Sequence, residues 1–134
     1  MTRSPKILFV EDDAALSAAY KTRMEAEGFE VRICDNGESA LATAIAFKPD
    51  LILLDIMMPR ISGFDVLDIL RHTPETANSK IVVLSALSQP ADKQRAMDLG
   101  ATDYLVKSQN VISDVMAKLR YHLDLDQPKP KTAG

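Results

Sequence analysis

The sequence lacks the features that mark secreted and membrane proteins. Cys34 is the only cysteine, so the chain forms no internal disulfide, which is typical of a reducing compartment. The apolar run Ile7 to Val10 is too short for the core of a signal peptide. The longest apolar stretch is interrupted by Asp55, so no membrane-spanning segment is predicted. These absences predict a cytoplasmic protein.

Excess positive charge is also absent. The chain carries 16 Lys and Arg against 19 Asp and Glu, which gives a formal net charge of −3. We therefore expect no direct binding to nucleic acid and no binding to a membrane. The length of 134 residues, with 46% hydrophobic and 26% charged residues, suits a single globular domain. We expect a folded domain over residues 1–124 and a flexible tail over residues 125–134.

Apolar segments of strand length alternate with segments of helical periodicity. The runs Leu51–Leu54 and Ile81–Leu84 are continuous and apolar, as in central strands of a parallel sheet that helices cover on both faces. Leu16, Tyr20 and Met24 recur at the four-residue interval of one helix face. The alternation predicts an α/β fold of the flavodoxin-like (βα)5 type, with a doubly wound, parallel, five-stranded sheet in the order 2-1-3-4-5.

Four of the predicted strands end in polar side chains. These side chains are Glu11 and Asp12, Asp55, Ser85 and Lys107. Parallel strands bring their carboxyl ends to one edge of the sheet, where three carboxylates repel one another unless a cation joins them. Carboxylate oxygens are suitable ligands for Mg²⁺. A carboxylate, a divalent ion, an ammonium and a hydroxyl together suit phosphoryl transfer.

With these residues the chain resembles a response-regulator receiver domain, from Lys6 to about Leu123. The similarity lies in five short segments, whose order and spacing are specific as a set. They are Ile7-Leu8-Phe9-Val10-Glu11-Asp12-Asp13, Leu53-Leu54-Asp55-Ile56-Met57-Met58-Pro59, Ile61-Ser62-Gly63-Phe64, Leu84-Ser85-Ala86 and Gly100-Ala101-Thr102-Asp103-Tyr104-Leu105-Val106-Lys107.

The resemblance implies a phosphorylation site with a metal ion. Asp55 would be the phospho-acceptor. Asp12 would bind Mg²⁺ directly, Glu11 mostly through water, and the backbone carbonyl of Met57 would be a further ligand. The phosphoryl donor would be a phosphohistidine of a histidine kinase or phosphotransfer protein, for which acetyl phosphate can substitute.

The resemblance also implies a switch. Ser85 would move toward the attached phosphoryl group and Lys107 would pair with it. Tyr104 would point outward when the site is empty and inward once Ser85 has shifted. A downstream protein would then recognise the 91–123 face, and the protein would be a monomer or a phosphorylation-induced dimer. Charges that could form a symmetric dimer are Lys93, Arg95, Asp98, Asp103, Lys118 and Arg120.

Two positions next to the site need separate comparison with the family: one departs from the usual residue, and the other varies among family members. The family usually has proline, joined by a cis bond, where Ser108 follows Lys107. Either this bond is trans and the loop is rearranged, or the site holds strain, because a non-proline cis bond costs about 2.5–4 kcal/mol. Met57 lies two residues after Asp55, where family members vary, and its bulky side chain predicts slow loss of the phosphoryl group.

Some of these residues also have purely structural interpretations. Asp55 could simply end a strand or begin a turn. The acidic segment Glu11–Asp13 could serve only to stabilise the start of the next helix. Tyr104 and Cys34 could be core residues. Neither His72 nor His122 has metal-ligand spacing or an evident partner, so we expect both at the surface.

Other functions remain as alternatives to a switch that catalyses its own phosphorylation. One is a receiver-like protein-binding module that is never phosphorylated. Another is a phosphatase or hydrolase with an aspartyl nucleophile, but such enzymes typically have a second aspartate where Met57 stands. A flavin-binding flavodoxin relative is disfavoured, because acidic residues follow the first strand instead of a phosphate-binding loop.

Overall fold

A parallel five-stranded sheet forms the centre of the molecule. The structure is a computed structural model that describes residues 3–125. The sheet has the strand order β2-β1-β3-β4-β5. The strands are β1 (Lys6–Val10), β2 (Glu30–Cys34), β3 (Leu51–Leu54), β4 (Lys80–Ser85) and β5 (Asp103–Val106). This topology confirms the predicted flavodoxin-like α/β fold.

Helices cover both faces of the sheet. They are α1 (Ala14–Ala26), α2 (Gly37–Phe47), α3 (Gly63–Arg71), α4 (Pro90–Asp98) and α5 (Ile112–His122), and a short 3₁₀ turn, Lys107–Gln109, follows β5. Alternate strand residues divide the core into two clusters, one with α1 and α5 and the other with α2, α3 and α4. None of the helices within residues 3–125 combines the length and the hydropathy needed to cross a membrane.

Short polar side chains start three of the helices. The Asp13 carboxylate accepts a hydrogen bond from the Leu16 amide at 3.0 Å, which satisfies a donor that has no partner inside α1. Asn36 and Ser62 begin α2 and α3 in the same way. At the other end of α2, Lys48 has a positive φ of 53°, so the helix stops before Pro49.

The register of β3 places its carboxyl end between the ends of its neighbours. Leu54 pairs with Val10 on one side and with Val83 on the other. The chain then leaves the sheet with the Asp55 amide donating to the Val10 carbonyl at 3.0 Å. Because β3 is fully buried, the position of the Asp55 backbone is fixed by the core.

The two histidines differ in their surroundings. His72 is exposed, as predicted, and contacts Asp68 of its own helix. The prediction for His122 is wrong, because its side chain is only 13% exposed and its Nε2 lies 2.8 Å from an Asp103 carboxylate oxygen. His122 therefore links the end of α5 to the start of β5.

Apart from Leu125, the predicted flexible tail, residues 125–134, lies outside the described residues. Three of the charges named for a dimer make contacts within the chain. Asp98 accepts from Gln94, Arg95 lies over the Phe64 ring, and Arg120 pairs with Glu27.

Candidate functional site

The polar strand ends meet at one edge of the sheet. Glu11 and Asp12 follow β1, Asp55 follows β3, Ser85 ends β4 and Lys107 follows β5. Glu11 is held by its own amide, which donates to the Cys34 carbonyl at 2.9 Å. The predicted convergence of these residues is therefore present in the structure.

Three carboxylates form the centre of this site. Oxygen atoms of Glu11, Asp12 and Asp55 lie within 4.8 Å of one another. Glu11 and Asp55 are each only 2% exposed, whereas Asp12 is exposed. Each buried carboxylate accepts one backbone amide, from Asp13 at 3.1 Å and from Met57 at 3.0 Å. The Asp12 carboxylate has no hydrogen-bond or ion-pair partner among the described residues, so its oxygens are open to a ligand.

Lys107 bridges the two buried carboxylates. Its Nζ lies 2.8 Å from Glu11 Oε1 and 3.1 Å from Asp55 Oδ2. The bond between Lys107 and Ser108 is trans, and the chain turns there in the Lys107–Gln109 3₁₀ helix. Of the two possibilities left open by the sequence, the trans bond is the one observed, and the ammonium still reaches Asp55.

Burial and charge act against each other in this cluster. Burial raises the pKa of Glu11, outweighing the hydrogen bonds that Lys107 and the Asp13 amide donate to it. Burial alone would lower the pKa of Lys107, but the hydrogen bonds and negative charges of Glu11 and Asp55 outweigh it, so that pKa is raised. Lys107 therefore carries a full positive charge at neutral pH.

The residues present fit a magnesium ion. Three carboxylates and one ammonium leave two negative charges unbalanced, which matches the charge of a divalent cation. All the available side-chain ligands are oxygens, and the exposure of Asp12 leaves one side of the cluster open to the water ligands that Mg²⁺ retains. The side chains that could hold the ion are those of Glu11, Asp12 and Asp55.

Ser85 and Tyr104 lie on β4 and β5, the next two strands of the sheet after β3. Ser85 is fully buried, and its Oγ accepts a hydrogen bond from the Leu87 amide at 3.1 Å. Tyr104 is 6% exposed and points inward, with its hydroxyl donating to the Leu87 carbonyl at 2.7 Å. Burial raises the pKa of Tyr104, and a hydrogen bond with Ser85 acts in the opposite direction. Tyr104 therefore has the inward orientation, which is one of the two that the resemblance implied.

The Met57 side chain lies at the outer side of Asp55. The residue is 53% exposed, although its amide is bound to the Asp55 carboxylate. This hydrogen bond holds the Met57 backbone against the Asp55 carboxylate, while the Met57 side chain is exposed.

Sequence reasoning assigned no role to Gly63 or Leu87. The Gly63 amide donates to the Ile56 carbonyl at 2.9 Å, and a side chain at Gly63 would overlap the backbone of Asp55 and Ile56. Gly63 therefore lets α3 approach the backbone of the Asp55 loop. Leu87 connects Ser85 with Tyr104 through its backbone alone, so its side-chain type carried no signal of this contact.

Comparisons with known proteins agree with this geometry. The family model described as the response regulator receiver domain matches residues 7–119. The DNA-binding dual master transcriptional regulator RpaA of Synechocystis is 36% identical, over 96% of this chain and 53% of that protein. The phosphate regulon transcriptional regulatory protein PhoB of Rhizobium meliloti is 37% identical, over 93% and 55%. The chain spans about half the length of these curated relatives.

Solved structures show the same fold. The BeF3-activated N-terminal receiver domain of Klebsiella pneumoniae RstA has a TM-score of 0.81 and 31% identity, covering 88% of this chain and 97% of that one. The chemotaxis response regulator CheY4 of Vibrio cholerae has a TM-score of 0.83 and 27% identity, covering 89% and 98%. The chain therefore belongs to the response regulator receiver domain family of two-component systems.

Proposed function

We propose that this receiver domain accepts a phosphoryl group on Asp55 from a phosphohistidine of a histidine kinase or phosphotransfer protein, with Mg²⁺, and acts as a phosphorylation-activated signalling switch. The observation that carries the proposal is the arrangement around Asp55. Its carboxylate is buried, bound by Lys107 Nζ at 3.1 Å, and within 4.8 Å of carboxylate oxygens of Glu11 and Asp12. A solitary strand-end aspartate would need none of these neighbours.

The residues present account for each part of the transfer. An Asp55 oxygen forms the bond to phosphorus as the bond from phosphorus to the donor imidazole nitrogen breaks, and the imidazole leaves as the neutral ring after taking a proton. A Mg²⁺ ion held by Glu11, Asp12 and Asp55 would supply positive charge to neutralise the phosphoryl oxygens. Lys107 exchanges its contact with Asp55 for a phosphoryl oxygen, and the Ser85 hydroxyl donates a hydrogen bond to another.

The signal reaches the surface through Ser85 and Tyr104. Both side chains meet the backbone of Leu87, so a shift of Ser85 toward the phosphoryl group changes the loop that holds Tyr104. Phosphorylation then biases a two-state equilibrium of the 91–123 face. A downstream protein recognises this face, in a monomer or in a phosphorylation-induced dimer.

Labelling by a small phosphoryl donor tests the proposal. The protein is incubated with acetyl phosphate, with and without Mg²⁺, and its intact mass is measured. We expect one phosphoryl group per chain with Mg²⁺ and none when the ion is removed by a chelator. No labelling under either condition would favour the alternative of a receiver-like binding module that is not phosphorylated.

Replacing Met57 with asparagine is expected to shorten the life of the phosphorylated state. The exposed apolar side chain of Met57, close to Asp55, restricts the approach of water to the phosphoryl group. Asparagine at this position can instead hold a water by hydrogen bonds. We expect decay faster by on the order of tenfold, which corresponds to about 1.4 kcal/mol of activation free energy. The measurement is phosphate release after removal of the donor.

A matched control is Ile69→Asn, because Ile69 is another exposed apolar residue and lies on α3. Its phosphorylated form should decay at the wild-type rate. Rapid decay of the wild-type protein, left unchanged by Met57→Asn, would contradict the shielding role of Met57.

A further inference from the structure

The turn after β5 sets the position of Lys107. Lys107 is the first residue of the 3₁₀ turn Lys107–Gln109, and the next residue is Ser108 with a trans bond between them. Serine restricts the backbone far less than proline does. Some other contact must therefore define the turn that holds the ammonium against Glu11 and Asp55.

Asn110 makes the contacts that close this turn. Its side-chain Nδ2 donates to the Val106 carbonyl at 2.9 Å, and its backbone amide donates to the Lys107 carbonyl at 3.4 Å. One residue thus binds the last carbonyl of β5 and the first carbonyl of the turn. These two carbonyls belong to the peptide groups immediately before and after the Lys107 Cα.

The edge position of β5 explains why the Val106 carbonyl is bound by a side chain. β5 is an edge strand, paired only with β4, so the backbone groups on its outer side have no neighbouring strand. A short polar side chain that bonds back to the backbone is the usual way to satisfy such a group in a turn.

The side chains of the two residues before Asn110 do not help to close this turn. Ser108 and Gln109 are exposed, and neither side chain makes a hydrogen bond within residues 3–125. The start of α5 is secured separately, by the Val111 amide bound to the Asp114 carboxylate at 2.9 Å. Removing the Asn110 side chain therefore loosens the turn without removing the cap of α5.

We propose that Asn110 is the positioning residue for Lys107: its side chain closes the trans turn at Val106 and so holds the ammonium at Asp55. This inference rests on the proposed function, in which Lys107 contacts the phosphoryl group. Asn110 itself touches neither the carboxylates nor the phosphoryl group, so its whole effect on phosphorylation passes through Lys107.

The experiment is a double-mutant cycle on the rate of labelling by acetyl phosphate. Asn110→Ala and the nearly isosteric Asn110→Asp, which lacks the N–H donor, are compared in the wild-type and Lys107→Ala backgrounds. Losing one neutral hydrogen bond should slow labelling of the otherwise wild-type protein by about two- to tenfold. In the Lys107→Ala background the same substitutions should have no further effect.

Asn78→Ala is the control, because Asn78 is an exposed asparagine in the loop before β4 without a hydrogen bond within residues 3–125. It should label at the wild-type rate. Wild-type labelling of both Asn110 variants would overturn the inference, provided that Lys107→Ala is slow. An equal slowing of Asn110→Ala in both backgrounds would overturn it as well, because Asn110 would then act independently of Lys107.

A wild-type protein that takes no label would instead refute the proposed function. The same six proteins then test the inference through their unfolding in urea, because Lys107 also makes ion pairs in the unlabelled protein. Non-additive changes in the midpoints support a link between Asn110 and Lys107. Additive changes overturn it.

Discussion

Replacing Asp55 with asparagine is expected to abolish phosphorylation. The substitution keeps the size of the side chain and one oxygen, but the neutral amide is not a nucleophile toward phosphorus. Asp55 is buried at the end of the central strand β3 and is the carboxylate bound by both Lys107 and the Met57 amide. We expect no increase in intact mass after incubation with acetyl phosphate and Mg²⁺, under conditions that label the wild-type protein fully.

Asp65→Asn is the matched control, since it makes the same chemical change at an exposed position in the first turn of α3. Its labelling should equal that of the wild-type protein. Retention of the label by Asp55→Asn would contradict the assignment of the acceptor. Peptide mapping would then show whether another carboxylate, such as Asp12, carries the phosphoryl group.

Replacing Lys107 with alanine is expected to slow labelling by about 10²–10³-fold, or about 3–4 kcal/mol, the usual cost of removing one preorganised donor from a developing anionic charge. The Nζ already lies 3.1 Å from Asp55, so it needs little movement to reach a phosphoryl oxygen. The rate is measured with acetyl phosphate at saturating Mg²⁺, so that weaker ion binding does not contribute.

Lys107→Arg separates charge from geometry. A guanidinium keeps the charge but is planar and larger than an ammonium, so its labelling rate should fall between those of the wild type and Lys107→Ala. A Lys107→Ala protein that is labelled at the wild-type rate would show that the ammonium has no part in the transfer. Circular dichroism of each variant checks that the fold is retained.

Much of the fold could be predicted because the sequence signals were local and mutually consistent. The continuous apolar runs Leu51–Leu54 and Ile81–Leu84 are fully buried in the sheet, as central parallel strands require. Asp55 follows the first of these runs and Ser85 follows the second. The sheet topology then necessarily places these residues together, so the convergence of Glu11, Asp55 and Lys107 followed from strand order alone.

The details of the site depended on contacts that no local pattern encodes. The turn closed by Asn110 depends on the edge position of β5. The pairing of His122 with Asp103 joins residues from two elements whose relative placement the sequence does not specify. The close approach of Gly63 to the Asp55 backbone depends likewise on the packing of α3 against the sheet edge.

The central claim is that Glu11, Asp12 and Asp55 form one divalent-ion site beside the acceptor. Calorimetric titration of the unphosphorylated protein with MgCl₂ tests it most directly, with Asp12→Asn as the comparison because Asp12 is the exposed member of the cluster. We expect uptake of one ion at millimolar concentrations by the wild-type protein and much weaker uptake by Asp12→Asn. Equal heats for the two proteins, or no binding heat for the wild type, would contradict it.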